Sequence, residues 1–229
     1  IIMIKGVVFD LDHTLFDRYA TFEECAPLWY ERFQKYLAPG LGIEDVAVNM
    51  TYADRSYNHF GWKRVCQYLN ESGFFREPMD TKTFVDIVYE GFSNFAVPFT
   101  FTDEMFEKLY DMGLKVGLIT NGVSEVQQAK LQMLGLERKF DEIIICHTPE
   151  LAKPNTLAFE LMAQRLDLKP NELMYVGDHP KNDVAASRRA GYTPVWVRTI
   201  PNWVLEDMEK CELQVDTIEE LPELIKNGV

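Results

Sequence analysis

The sequence predicts an α/β protein: a mostly parallel sheet with helices on both faces, interrupted near its start by an all-helical insert. Three observations predict this. The run Ile1–Phe9 is almost continuously apolar and rich in β-branched residues, the pattern of a central parallel strand covered on both faces. From about residue 98 onward, short apolar runs alternate with amphipathic segments, as in strands joined by right-handed crossovers. Residues 17–97 contain no convincing strand, and their apolar residues recur at helical spacing.

After the first strand, Phe22, Cys25, Trp29, Phe33 and Leu37 mark a helix, which Pro27 should kink or restart. Val46–Tyr57, Trp62–Leu69 and Phe84–Phe95 give three more helices. Pro39-Gly40, Gly61 and the stretch Gly73–Pro78 separate them. Phe101–Met112 reads as a helix and Lys115–Thr120 as a strand. Ser124–Leu134 reads as a helix with Ser124 as its N-cap. Glu142–Cys146 is a strand, Thr156–Leu166 a helix capped by Asn155 or Thr156, and Leu173–Val176 a strand. Asp183–Ala190 is a helix and Thr193–Val197 a strand. A short strand near Val215 and a helix at Leu221–Ile225 follow. The domains expected are an α/β core of residues 1–16 and 98–229 and a helical domain of about four helices at 17–97.

With 229 residues, 47% of them hydrophobic and 26% charged, the chain has the composition of a soluble globular protein with a sizeable core. A formal net charge of −13 argues against a nucleic-acid polymer or an anionic membrane as partner for the surface as a whole. It leaves room for an anionic small molecule, because a metal and a lysine can reverse the sign locally. Cys25, Cys66, Cys146 and Cys211 are scattered, with no C-x-x-C pair, and read as reduced core thiols of a cytoplasmic protein. The apolar start lacks a basic leader and runs into Asp10, so it reads as a strand, not a signal peptide. No stretch is long enough for a membrane span.

Four polar clusters follow apolar strands. They are Asp10-Leu11-Asp12-His13-Thr14, Thr120-Asn121-Gly122, Lys153-Pro154 and Gly177-Asp178-His179-Pro180-Lys181-Asn182-Asp183. Taken singly, each could be a turn, a cap or a solvated side chain. In open α/β sheets, however, ligands bind at the carboxyl ends of strands, where all four would converge. Paired carboxylates beside a buried strand are costly unless something cationic meets them, and a divalent ion with oxygen ligands suits them.

With these motifs in this order the chain resembles the haloacid dehalogenase-like (HAD) hydrolase superfamily: Asp-x-Asp-x-Thr at 10–14, Thr120, Lys153, and Gly-Asp-x-x-x-Asn-Asp at 177–183. The resemblance spans the chain. It implies a Rossmann-like core, with residues 17–97 as a helical cap that covers the site and selects the leaving group. It implies Asp10 as nucleophile, forming an aspartyl-phosphate, and Asp12 as general acid and base. It implies Mg²⁺ on Asp10, the Asp12 backbone carbonyl and Asp178, with Asp183 as ligand or support. Thr120 and the Asn121 amide would hold phosphate oxygens, and Lys153 would offset charge. Dehalogenases of this type lack an acid at the position of Asp12, so Asp12 favours phosphoryl chemistry. The activity implied is a Mg²⁺-dependent phosphatase acting on a small phosphorylated metabolite, such as a nucleoside monophosphate, a sugar phosphate or a phosphoglycolate-like acid. A phosphomutase of the same fold, or a non-catalytic phosphate- or metal-binding regulator, is the alternative. His13 and His179 flank the acids and could touch substrate, as could Arg18, Tyr19 and Phe22, where core meets insert.

Overall fold

The structure, a computed structural model, describes residues 3–199 and 211–228. In chain order the first elements are β1 (Gly6–Phe9), α1 (Arg18–Phe33), α2 (Ile43–Tyr57), α3 (Trp62–Glu71), α4 (Thr81–Phe92) and α5 (Thr102–Asp111). They are followed by β2 (Lys115–Asn121), α6 (Ser124–Met133), β3 (Glu142–Cys146), α7 (Leu157–Leu166), β4 (Leu173–Gly177), α8 (Ala186–Arg189), β5 (Thr193–Val197), β6 (Gln214–Val215) and α9 (Leu221–Lys226). The chain forms two compact units, one from Ile1–Asp17 with Pro98–Val229, the other from Arg18–Val97.

In the first unit six strands form one sheet in the order β3-β2-β1-β4-β5-β6, every pairing parallel. β1 lies centrally, with Val7 opposite Val116 on one side and Met174 on the other. Successive strand side chains point to opposite faces. Val8 joins Ile119, Phe159, Met162 and Tyr175 on the α7 face. Phe9 meets Phe106 of α5, ring centroids 5.7 Å apart. Each such buried side chain contributes roughly 1.5–3 kcal/mol. The chain order reverses at β1, the point where an open sheet of this kind leaves a crevice beyond its strand ends.

The second unit is built on α1, whose buried residues Arg18, Thr21, Phe22, Cys25, Ala26, Trp29 and Phe33 share one helical stripe. Phe22 meets Trp29 and Phe92 at 5.0 and 5.6 Å, and Phe33 stacks on Phe84 at 5.9 Å. The Arg18 guanidinium holds both Asp54 oxygens, at 3.1 and 2.8 Å, and lies 4.8 Å from the Phe92 ring centre.

Several local expectations are corrected. β1 begins only at Gly6, where β2 and β4 start; of the remainder, Ile1 and Ile2 lie outside the described residues. Pro27 neither ends nor restarts α1. It sits on the exposed side with Glu23, so the backbone bond it removes faces water, while Cys25, Ala26 and Trp29 pin the opposite face. Leu37 lies beyond α1 and bridges to Phe75. Ser124 is the first residue of α6 and not its cap, which is Val123. The helix expected from Asp183 begins at Pro180, as a π-helical turn Pro180–Ala185 running into α8. The His179 ring caps it, Nδ1 accepting from the Lys181 and Asn182 amides, and proline suits the first helical position.

Candidate active site at the carboxyl ends of β1, β2 and β4

Asp10 follows β1 directly, and its N–H donates to the Val176 carbonyl at the end of β4, 2.9 Å away. The chain then turns: the Thr14 and Leu15 amides both donate to the Leu11 carbonyl, and His13 takes a left-handed φ of 63°. The His13 carbonyl accepts from Thr199 Oγ1.

Lys153 is the hub of the site. Its ammonium is 2.6 Å from Asp10 Oδ1, 2.7 Å from Asp183 Oδ1 and 2.8 Å from Tyr175 Oη. All of these residues are buried. Burial disfavours the lysine charge, but Asp10 and Asp183 more than offset it and hold Lys153 protonated well above its ordinary range. Asp10 gains less from the shared partner. Burial pushes its carboxyl up to about 7, with Lys153 pulling down and Asp183 pushing up. The loop carrying Lys153 is clamped by Asn121, whose amide side chain donates to the Lys153 carbonyl at 3.0 Å and accepts its N–H at 2.9 Å. Asn121 thus fixes Lys153 through its side chain, a role separate from the one expected of its backbone amide.

Asp183 uses both oxygens. Oδ1 accepts from Lys153 and, at 3.3 Å, from Tyr175; Oδ2 accepts the His179 N–H at 2.9 Å. Gly177 makes room for it, since a Cβ there would stand 2.5 Å from Asp183 Cγ. Asp178 lies between, 5% exposed, its carbonyl receiving Trp196 Nε1–H at 2.7 Å.

Asp12 faces a different lysine. Lys130 Nζ is 2.7 Å from its Oδ1, and Gln127 Nε2 donates to its Oδ2 at 3.0 Å and to Thr120 Oγ1 at 2.6 Å.

Carboxylate oxygens of Asp10, Asp178 and Asp183 lie within 4.8 Å of one another, all three residues buried. Lys153 pairs with Asp10 and Asp183. A buried donor set made of carboxylate oxygens fits a hard divalent cation of the Mg²⁺ type.

The structure therefore brings Asp10, Asp12, Thr120, Asn121, Lys153, Asp178 and Asp183 together at one end of the sheet. Gln127, Lys130 and Tyr175 join them without having been anticipated. His179 acts as a helix cap, and His147 is exposed with Nδ1 against its own strand at the Ile145 carbonyl. Arg18 and Phe22 are engaged within the helical unit, and the His59 side chain lies outside the described residues. Cys25, Cys66, Cys146 and Cys211 are free and buried, and burial lifts the Cys146 thiol to about 11. Among the described residues no helix is long and apolar enough to cross a membrane.

The chain is 28% identical over 229 residues to the glyceraldehyde 3-phosphate phosphatase of Methanocaldococcus jannaschii, covering 98% of each chain. It is 23% identical over 237 residues to the (S)-2-haloacid dehalogenase of Pseudomonas sp. strain YL, covering 98% of this chain and 96% of the other. Its fold matches the magnesium-bound HAD-hydrolase YfnB of Bacillus subtilis with a TM-score of 0.72 at 18% identity, covering 97% and 99% of the two chains. The profile of the haloacid dehalogenase-like hydrolases matches residues 7–197, and the chain belongs to that family.

Proposed function

We propose that this hydrolase is a Mg²⁺-dependent phosphatase that removes phosphate from a small phosphorylated metabolite through an aspartyl-phosphate on Asp10. The observation that carries the reading is the pair of separately held carboxylates: Asp10 against Lys153, and Asp12 against Lys130 and Gln127. A nucleophile alone would suffice to displace a halide. A second carboxylate two residues on is what an alkoxide leaving group requires.

In this reading an Asp10 carboxylate oxygen attacks phosphorus. Asp12 donates a proton to the departing ester oxygen, then takes one from the water that hydrolyses the acyl phosphate. Lys153 and the Thr120 hydroxyl hold phosphate oxygens and offset their charge. Asp10, Asp178 and the Asp12 carbonyl would hold Mg²⁺, which when bound neutralises charge between phosphate and nucleophile. Asp183 supports Lys153 and the His179 turn and offers a further carboxylate oxygen to the ion. The helical unit Arg18–Val97 is the family's cap, where substrate choice resides. Four free, buried thiols favour a cytoplasmic setting.

The similarity to a phosphatase of glyceraldehyde 3-phosphate makes a triose phosphate the first substrate to try. Phosphate release is measured with Mg²⁺ over triose phosphates, phosphoglycolate, sugar phosphates and nucleoside monophosphates, with Asp10→Asn as control. Halide release from 2-chloropropionate is measured alongside. Phosphate release lost in Asp10→Asn supports the reading; halide release, or phosphate release that survives the substitution, refutes it.

A further inference from the structure

α6 carries two long polar side chains, Gln127 and Lys130, that are only 2% and 3% exposed. They lie three residues apart, one helical turn, so they share a face. A buried ammonium is expensive without a partner. Lys130 spends its charge on Asp12 Oδ1 at 2.7 Å, with its Nζ also 5.5 Å from the Phe16 ring centre. Gln127 takes the other oxygen of the same carboxylate and bridges to the Thr120 hydroxyl. The amide is itself held in place. A Cβ on Gly122, whose φ is +147°, would come within 3.0 Å of Gln127 Cγ and Cδ, so the backbone there lies against the glutamine stem.

We propose that Gln127 and Lys130 are positioning residues that bracket the Asp12 carboxylate, and that Gln127 keeps this proton donor in register with Thr120. The inference rests on the phosphatase reading above. Both Asp12 oxygens are fixed from one rigid helix, and Thr120 sits at the end of the strand leading into that helix. The donor and the phosphate-holding hydroxyl thus move as one body. Once Asp12 has taken up a proton from solvent, a carboxyl held this way delivers it along one direction, and misplacement by about an ångström is enough to cost orders of magnitude. The bracket therefore matters for esters whose leaving oxygen needs a proton and matters little for those whose leaving group departs as a stable anion.

The test is the ratio of kcat/KM for the best alkyl phosphate found to that for p-nitrophenyl phosphate, in wild type, Lys130→Met, Gln127→Leu and Lys130→Arg. This parameter covers the steps up to phosphoryl transfer onto Asp10 and excludes the later hydrolysis of the acyl phosphate. Lys130→Met should lower the ratio about ten- to a hundredfold, within the span that general acid catalysis supplies. Gln127→Leu should lower it less, and Lys130→Arg should restore most of it. In an Asp12→Asn background, Lys130→Met should leave the ratio where Asp12→Asn put it, because there is no longer a donor to position. A purely structural pair would depress both substrates alike, and that result, or an unchanged ratio in both single variants, overturns the proposal. If Lys130→Met fails to fold, the ratios of Gln127→Leu and Lys130→Arg decide. A wild type inert toward every phosphate ester, or one indifferent to Asp10→Asn, refutes the phosphatase reading instead and is told apart by its own control.

Discussion

Asp10→Asn should inactivate the enzyme and, without metal, stabilise it. Asp10 is 7% exposed, and its carboxyl titrates near 7 in the folded protein against 3.8 ordinarily, burial being the main cause. The folded state therefore binds the proton more tightly than the unfolded chain. The stability this confers is complete below about pH 4 and is lost as pH rises through 7. The full span is about 4 kcal/mol, of which about 3 kcal/mol falls between pH 5 and pH 8. Asparagine carries no such liability, and it leaves Lys153 in a balanced pair with Asp183, 2.7 Å away. Urea unfolding in EDTA reads the effect. The advantage of Asp10→Asn over wild type should widen by about 3 kcal/mol from pH 5 to pH 8. Saturating Mg²⁺ should narrow it, because an ion bound to the ionised carboxylate stabilises the folded wild type by mass action. An equal advantage at both pH values, or a variant less stable than wild type at pH 8, would refute the account of Asp10 as a buried, under-compensated charge. The same variant is the activity control, so its inactivity could not then be ascribed to unfolding.

Chelation should abolish phosphate release, and Mg²⁺ added back should restore it; activity that survives EDTA would remove the ion from Asp10 and Asp178. Gly177→Ala would place a methyl 2.5 Å from Asp183 Cγ, a side chain pinned by Lys153 and the His179 amide. It should lose about 1–3 kcal/mol in urea titration and most of its turnover, and a variant with wild-type values would show that Asp183 can yield. Gly91→Ala would bring a methyl to 2.3 Å from Trp29 Nε1 within the helical unit. It should destabilise by about 1–3 kcal/mol and shift tryptophan emission, with Trp29→Phe recovering part of the loss; additive losses would sink the packing argument.

The sheet was legible because its strands are short, apolar and regularly spaced, and the end of β1 was legible because two acids interrupt an apolar run. Where β1 begins was not, since its partners decide: Lys115 and Leu173 sit opposite Gly6, so Met3 and Ile4 lie outside the ladder despite their hydrophobicity. The early start of the helix after β4 was written in His179-Pro180, but a histidine cap is a weaker signal than the Asp183 that follows. The motif acids, Thr120 and Lys153 announce themselves as polar residues after strands. Gln127 and Lys130 do not, because on a helix read alone they belong to the polar face. Their burial follows from Asp12, 115 and 118 residues away along the chain, and no local pattern records that contact. Tyr175 was hidden in the opposite way. Its ring fills the core against Phe159, which is what an aromatic in a strand suggests, while its hydroxyl reaches Lys153 and the Ile119 carbonyl.

Two lysines, one on α6 and one on the loop after β3, serve the two acids that follow β1 separately, and that separation has chemical meaning. Asp12 pairs with Lys130, 2.7 Å away. Asp10 and Asp183 share Lys153, and carboxylate oxygens of these two acids and of Asp178 lie within 4.8 Å of one another. A single lysine placed between Asp10 and Asp12 would have tied the charge of the proposed nucleophile to that of the proposed donor. With separate partners, a cation can be drawn to the proposed nucleophile while the proposed donor stays in place, so that on the phosphatase reading attack and protonation are arranged independently on one loop of three residues.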